Sequence, residues 1–366
     1  MDRNTKEFWF GIFALVSITV GAGVLTLPYI FLKAGFLNSV LILIFLTVIL
    51  IILYLYLAEI LLRTKGRHQL TGLAEKYLGK KGKALMFVFS SIGIYGALLA
   101  YIIGGGKALN AIFPWNEQYY SIIYFIILSV ILYYGKNVFI RVESIFSLIK
   151  LLFVVILGII LIPKFSITQI NGFNIDYFYL PYGVFMFSLL AISSIPIMNE
   201  NIRSKQTLKK SIIWGMIITG VVYLIFVLGM LGSGATTELS TTGLTGKVGL
   251  LANLFALFGI STAFIGLAYI QKEVFMYDYL LSKFNAWILT IILPIILYII
   301  NLDGLIRIIE VTGSVSGGLM LLLVLIIHTK AKKYGNRTPE LNYKENILLK
   351  VVLGILFIVG IIILFI

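Results

Sequence analysis

Val20-Gly21-Ala22-Gly23-Val24-Leu25-Thr26-Leu27-Pro28 places two glycines and a proline in the middle of an apolar run long enough to cross a membrane. Both residue types weaken a helix, and backbone unwound at bilayer depth leaves N–H and C=O groups without intrahelical partners. Such groups persist only where protein buries them or where they line a cavity that holds a ligand. The segment therefore reads as a binding site in the first span; close packing of two helices through small residues is the other use the same pattern serves.

The rest of the chain supplies the membrane context. Of 366 residues, 60% are hydrophobic and 12% charged, and the mean hydropathy is +1.05, a composition of membrane spans rather than of a soluble domain. Spans are expected at 8–34, 38–62, 84–113, 119–135, 142–163, 178–198, 211–232, 248–271, 284–301, 304–328 and 347–366, about eleven crossings of an all-α integral membrane protein. The first is too long for a secretory signal and lacks a cleavage site, so it is expected to be retained. The formal charge of +14 is explained by topology, not by a nucleic-acid partner. Twenty-three of the 29 basic residues fall in alternate loops, which places the N-terminus in the cytoplasm. Lys33, Lys164 and Lys247 lie in outside loops; Lys107, Lys150 and Arg307 lie within or at the edges of spans, where charge is costly and points to function.

Several activities are excluded. The chain has no cysteine, which removes disulfides, thiolate metal sites and cysteine nucleophiles. His68 and His328 lack partners at metal-ligand spacing and sit at loop boundaries, so both are expected to be solvated or interfacial. No phosphate-binding glycine loop followed by Lys-Ser/Thr is present, and no nucleophile and base or carboxylate pair occurs within the spans, so no enzyme, metal or cofactor is expected.

The loops differ in character. Residues 66–82 pattern as a short amphipathic helix on the cytoplasmic surface. Residues 233–247 are rich in Gly, Ser and Thr and read either as a lid over an access path or as a plain exposed loop. A second interrupted span is expected at Phe187-Ser188-Leu189-Leu190-Ala191-Ile192-Ser193-Ser194-Ile195-Pro196, where three serines and a proline stand five spans after the first break. Alone, this segment would read as a proline kink with serines bonded to the preceding turn; paired with the first break it reads as the other half of a site.

The order and spacing of these segments resemble the amino acid/polyamine/organocation superfamily, nearest to its aromatic amino acid permease and amino acid/auxin permease branches. The similarity runs nearly the whole chain: Gly21 to Pro28 with Lys33-Ala34-Gly35-Phe36, Ala58-Glu59-Ile60-Leu61, Ala100-Tyr101, Ser194-Ile195-Pro196 with Lys209-Lys210-Ser211-Ile212, Ser261-Thr262-Ala263-Phe264-Ile265-Gly266, and Val311-Thr312-Gly313 before His328. The histidine common in the sixth span of aromatic amino acid permeases is Ile192 here, which leaves the side-chain preference open.

The resemblance implies a LeuT-like fold, one transmembrane domain over 1–366 with helices 1 and 6 discontinuous. Its repeats would be 7–163 and, inverted, 176–329, with 330–366 forming a connector and an eleventh helix. A half-helix N-terminus presents free N–H groups and a positive dipole end to a carboxylate, and carbonyls before a break hold an ammonium. Gly21, Ala22, Gly23 and Val24 are thus expected on the substrate carboxylate, Ser188, Ala191 and Ser193 on the ammonium or side chain, and Tyr101 over the pocket. Some members of the superfamily place a fifth-span lysine where sodium-driven relatives bind their cation, which implies that Lys150, beside Gly21, exchanges the coupling proton; Ser261 and Thr262 offer oxygen ligands to sodium instead. Glu59 is expected to pair with Arg63, and Arg307 with Glu310. The expected activity is import of neutral, hydrophobic or aromatic amino acids by proton symport across a plasma membrane, with no nucleic-acid partner. The alternatives are sodium coupling and an amino acid receptor akin to germinant-receptor subunits.

Overall fold

The computed structural model describes residues 2–134, 136–165, 172–234, 237–277, 279–300 and 304–365, with side chains for all of these but 136–147 and Lys164. Ala235 and Thr236 of the 233–247 loop fall outside the described residues. The chain folds into helices α1 (Arg3–Thr19), α2 (Ala22–Ala34), α3 (Phe36–Leu62), α4 (Leu70–Ile112), α5 (Glu117–Tyr134), α6 (Lys136–Leu161), α7 (Leu180–Leu189), α8 (Ser194–Asn201), α9 (Lys205–Gly232), α10 (Gly246–Tyr277), α11 (Lys283–Ile299), α12 (Leu305–Thr312), α13 (Gly318–Tyr334) and α14 (Ile347–Ile362).

All-helical structure follows from the solvent, since a hydrocarbon layer offers no partner to an unpaired backbone. Among the described residues, eight stretches are long and apolar enough to cross a bilayer: α3, α4, α5, α7 with α8, α9, α10, α12 through α13, and α14. α1 and α2 reach that length together across a bend of 64°, while Leu148–Leu161 of α6 and α11 are shorter. Polar residues mark the starts. Oδ1 of Asp2 accepts from the Thr5 N–H at 2.8 Å, and Asn346 Oδ1 from the Leu349 N–H at 2.9 Å. Such caps satisfy donors that the first helical turn leaves open.

Two glycines set chain direction. Gly79 (φ 72°) bends α4, so that the expected amphipathic helix becomes its first turns, ahead of the apolar part. Gly35 (φ 91°) alone joins α2 to α3, and a Cβ there would lie 2.7 Å from the Gly172 carbonyl oxygen. Both backbones favour glycine. Elsewhere small residues let helices touch closely: a Cβ on Gly158 of α6 would lie 2.8 Å from the Ile225 carbonyl oxygen of α9, the packing mode of membrane helices. The largest fully buried side chains include Tyr54, Tyr223, Phe185, Phe226 and Phe264, and two of these phenols turn out to organise the site.

Candidate functional site at the two helix breaks

The first break comprises Val20 (φ −81°, ψ 75°) and Gly21 (φ −121°, ψ −154°), both outside helical geometry. Gly21 donates its N–H to the Thr19 carbonyl at 3.0 Å. No side chain caps the start of α2 among the described residues, so the amides of Ala22, Gly23 and Val24 begin a helix as open donors at its positive end. Gly23 is pressed against α7: a Cβ there would stand 3.1 Å from the Ser188 Cα. Gly21 faces the buried Tyr101, whose hydroxyl would lie 3.8 Å from an added Cβ. Gly21, Gly23, Tyr101 and Ser188, expected from sequence to share a pocket, are thus brought together.

The second break, between Leu189 and Ser194, is handled differently. Tyr54 of α3 donates to the Leu189 carbonyl (2.9 Å) and accepts from the Ala191 N–H (2.7 Å). The Ala191 carbonyl receives both the N–H (2.9 Å) and the hydroxyl (2.7 Å) of Ser194. Tyr223 of α9 directs its hydroxyl at the carbonyl oxygens of Thr19 (2.6 Å) and Ser188 (2.7 Å), one from each interrupted span. A phenol among aliphatic residues in hydrocarbon requires such partners. Sequence reasoning missed Tyr54 and Tyr223; the signal available was a phenol isolated in a run of Leu, Ile and Val.

These bonds decide what each expected residue has left to offer. Ser188 spends its proton on the Val184 carbonyl at 2.8 Å, so its oxygen, beside Gly23, keeps only acceptor capacity. The Ala191 amide is occupied by Tyr54. Ser193 is half-buried at the start of α8 and makes no capping bond. Ile192 is buried.

Lys150 of α6 is 6% exposed. It lines a cavity of about 10 Å³, near one water in size, with Val20, Gly21, Val24 and Leu25 of the first span and Ala256, Gly259 and Ile260 of α10. Its stem runs over Gly259, where a Cβ would lie 3.6 Å from Lys150 Cδ. Ser261 and Thr262 do not line that cavity. The Ser261 hydroxyl bonds the Leu257 carbonyl (2.6 Å) and Tyr124 of α5 (2.9 Å), and Thr262 bonds the Gly259 carbonyl (2.9 Å). One helical face separates these hydroxyls from the first break.

The described part of the 233–247 loop is buried at its centre and exposed at Gly234, Thr237 and Thr245 to Lys247. Ser240 and Thr241 are fully covered, the Ser240 hydroxyl donates to the Leu25 carbonyl of α2 at 2.7 Å, and Glu238 pairs with Lys107 at 2.8 Å. Of the other ionisable residues, Glu59 and Arg63 pair as expected at 2.8 Å, as do Arg307 and Glu310 at 3.1 Å. His328 corrects its expectation: it is fully buried, not interfacial, bonded to Glu59 at 3.0 Å and stacked on Tyr56 with ring centroids 4.1 Å apart. α13 continues through Tyr334, which carries His328 inside the bundle.

Two interrupted spans packed break to break, inside a bundle of apolar helices, define a membrane transporter of the LeuT type. The structure of MhsT in complex with L-phenylalanine superposes with a TM-score of 0.70 over 97% of each chain at 14% identity, the same fold. The chain belongs to the tryptophan/tyrosine permease family, whose model matches residues 4–365; it is an amino acid permease and not an enzyme. Tyrosine-specific transport system 1 of Haemophilus influenzae is 23% identical over 91% of this chain and 90% of its own length. Glutamine transporter 2 of Aliivibrio fischeri is 21% identical over 78% of this chain and 80% of its own.

Proposed function

We propose that this permease imports a neutral amino acid with a hydrophobic or aromatic side chain, tyrosine, tryptophan or phenylalanine first among them, by proton symport across the plasma membrane. The substrate class follows the permease family, the tyrosine-specific relative and the phenylalanine held by MhsT. The open amides of Ala22, Gly23 and Val24, at the break that Gly21 forms, receive the carboxylate, the Ser188 oxygen, with Ala191 and Ser193 beside it, receives the ammonium end, and Tyr101 closes over both. Residues 7–163 and 176–329 act as the two inverted repeats, 330–366 is an appended connector and helix, and the N-terminus is cytoplasmic, as the placement of basic residues supports.

The observation that carries the coupling is Lys150 sharing a cavity with the backbone of Val20 and Gly21. A lysine there titrates against the same unwound segment that binds substrate, so protonation and loading are linked through one stretch of backbone. The sodium reading gains nothing from Ser261, whose hydroxyl is directed at Tyr124. Uptake of radiolabelled tyrosine, tryptophan, phenylalanine and glutamine into proteoliposomes, under an imposed inward proton gradient without sodium, tests this. Protonophore-sensitive accumulation of an aromatic amino acid is expected, and Lys150→Met is expected to abolish accumulation while exchange across the membrane persists. Accumulation that survives in Lys150→Met overturns the role of Lys150; accumulation that needs added sodium overturns proton coupling; saturable binding without uptake moves the protein to the receptor class.

A further inference from the structure

The most heavily bonded buried carboxylate among the described residues plays no part in this scheme. Glu59, near the end of α3, is fully buried, with three hydrogen bonds and an ion-pair contact to Lys332. Oε1 takes Arg63 Nε (2.8 Å) and lies 3.1 Å from Lys332 Nζ, and Oε2 takes His328 Nε2 (3.0 Å) and the Tyr343 N–H (3.1 Å). An imidazole that donates through Nε2 is either the Nε2–H tautomer or the cation. His328 Nδ1 is buried and has no hydrogen-bond partner. In the neutral tautomer that atom is a bare lone pair; the buried Tyr343 hydroxyl is the other group of the cluster without a hydrogen-bond partner among the described residues.

The same cluster holds down a strap. Residues 335–346, which join α13 to α14, are tied to the ends of α3 and α13 by side-chain bonds. Arg63 Nη2 donates to Asn342 Oδ1 (2.8 Å), Lys332 donates to Asn342 Oδ1 (3.2 Å) and to the Tyr343 carbonyl, and the Asn336 N–H donates to the Arg63 carbonyl (3.0 Å). Leu341 is buried beneath the strap. His328 and Lys332 stand one helical turn apart and share Glu59 between them.

We propose that His328 is a proton-binding site that reads acidity on the lysine-rich side of the membrane and unseats the 335–346 strap when charged. The proton adds to the vacant Nδ1 and leaves the Nε2 bond to Glu59 in place, now as an ion pair. The Tyr56 ring stacked on the imidazole favours the cation. The charges that meet it are Glu59 of α3 and Arg63 just after it, Lys332 of α13, Glu345 of the strap and Lys350 of α14, which bonds Glu345 at 2.8 Å and lies over Tyr56; Tyr343 and, over its ring, Lys209 of α9 complete the surroundings. A new positive charge competes with Lys332 for Glu59 and repels it along the helix. Lys332 then gives up the carboxylate, and with it the Asn342 and Tyr343 anchors.

Two measurements on the purified full-length protein test this without any transported substrate. The chain has two histidines, so 15N-histidine labelling gives two imidazoles that a His68→Gln variant assigns. Titrated from about pH 8 to about pH 4, His328 is expected to start as the neutral Nε2–H tautomer and take up a proton as the pH falls, and in Glu59→Gln to stay neutral to lower pH, since the partner that stabilises the cation is gone. An imidazole that stays in one state over that range, or titrates alike in Glu59→Gln, overturns the proposal. A single cysteine, Leu341→Cys, in this cysteine-free chain reports strap seating. Maleimide labelling, normalised to exposed Lys81→Cys at each pH, is expected to rise about tenfold on acidification, following the protonated fraction. The rise is expected to vanish on adding His328→Gln; an equal rise in that variant overturns the link to the strap. If His328→Gln does not fold, the imidazole titration decides alone.

Discussion

The two helix breaks use opposite solutions to one problem. At Gly21 the amides that start α2 have no side-chain cap; at the second break Tyr54 and Ser194 fill the Leu189 carbonyl and the Ala191 amide and carbonyl, and Tyr223 takes the Ser188 carbonyl together with that of Thr19. Unsatisfied backbone in hydrocarbon is expensive, so the first break has donors to offer a ligand, whereas the second spends its polar groups internally. Under the proposed function, the first break is the receiver and the second the wall against which it closes.

That contrast can be broken at its tightest point first. Gly23→Ala inserts a methyl 3.1 Å from the Ser188 Cα and forces the two breaks apart; a displacement near an ångström in a binding geometry costs about 100-fold, and uptake is expected to fall by about that factor with the protein still folded by size-exclusion profile. Next comes Tyr223→Phe, which strips the hydroxyl from the Thr19 and Ser188 carbonyls. It is expected to destabilise by about 2–6 kcal/mol in thermal unfolding, at about 1–3 kcal/mol for each of the two buried groups left unpaired, and to weaken substrate binding as well, because both breaks lose their common tie. Tyr54→Phe orphans groups at the second break alone. A loss of about 2–3 kcal/mol is expected, with transport slowed in proportion to folded protein and KM within about twofold of wild type; a large KM shift would mean that the second break is a receiver too. Gly21→Ala is the mildest, since its Cβ finds ordinary contact distance to Tyr101. Stability is expected to move by less than about 0.5 kcal/mol, while KM for the substrate rises; an unchanged KM would remove Gly21 from the carboxylate site.

Much of this was readable in advance because the membrane narrows the options. Glycines and a proline in a long apolar run, or three serines before Pro196, have few uses at bilayer depth, and a lysine at position 150 is conspicuous for the same reason. What sequence could not reveal is which face of a helix meets which neighbour hundreds of residues away. Ser261 sits one position from Ile260, yet Ile260 lines the Lys150 cavity and Ser261 turns to Tyr124. Tyr223 meets Thr19 across 204 positions, a contact no local pattern encodes. His328 was misplaced because Lys330, Lys332 and Lys333 follow it closely and read as the start of a loop, while the helix in fact runs on to Tyr334.

The single-residue joint at Gly35 gives the molecule a mechanical character. α2 ends at Ala34 and α3 begins at Phe36, and the Asn174 N–H and side chain clamp the turn from outside through the carbonyls of Ala34 and Lys33. With so little slack, α2 and α3 form a bell crank: a tilt of the arm that carries Gly23 is delivered down the other arm to Tyr54, and through its phenol to the second break. The receiver and the wall are therefore geared to each other along the outside of the site as well as across it.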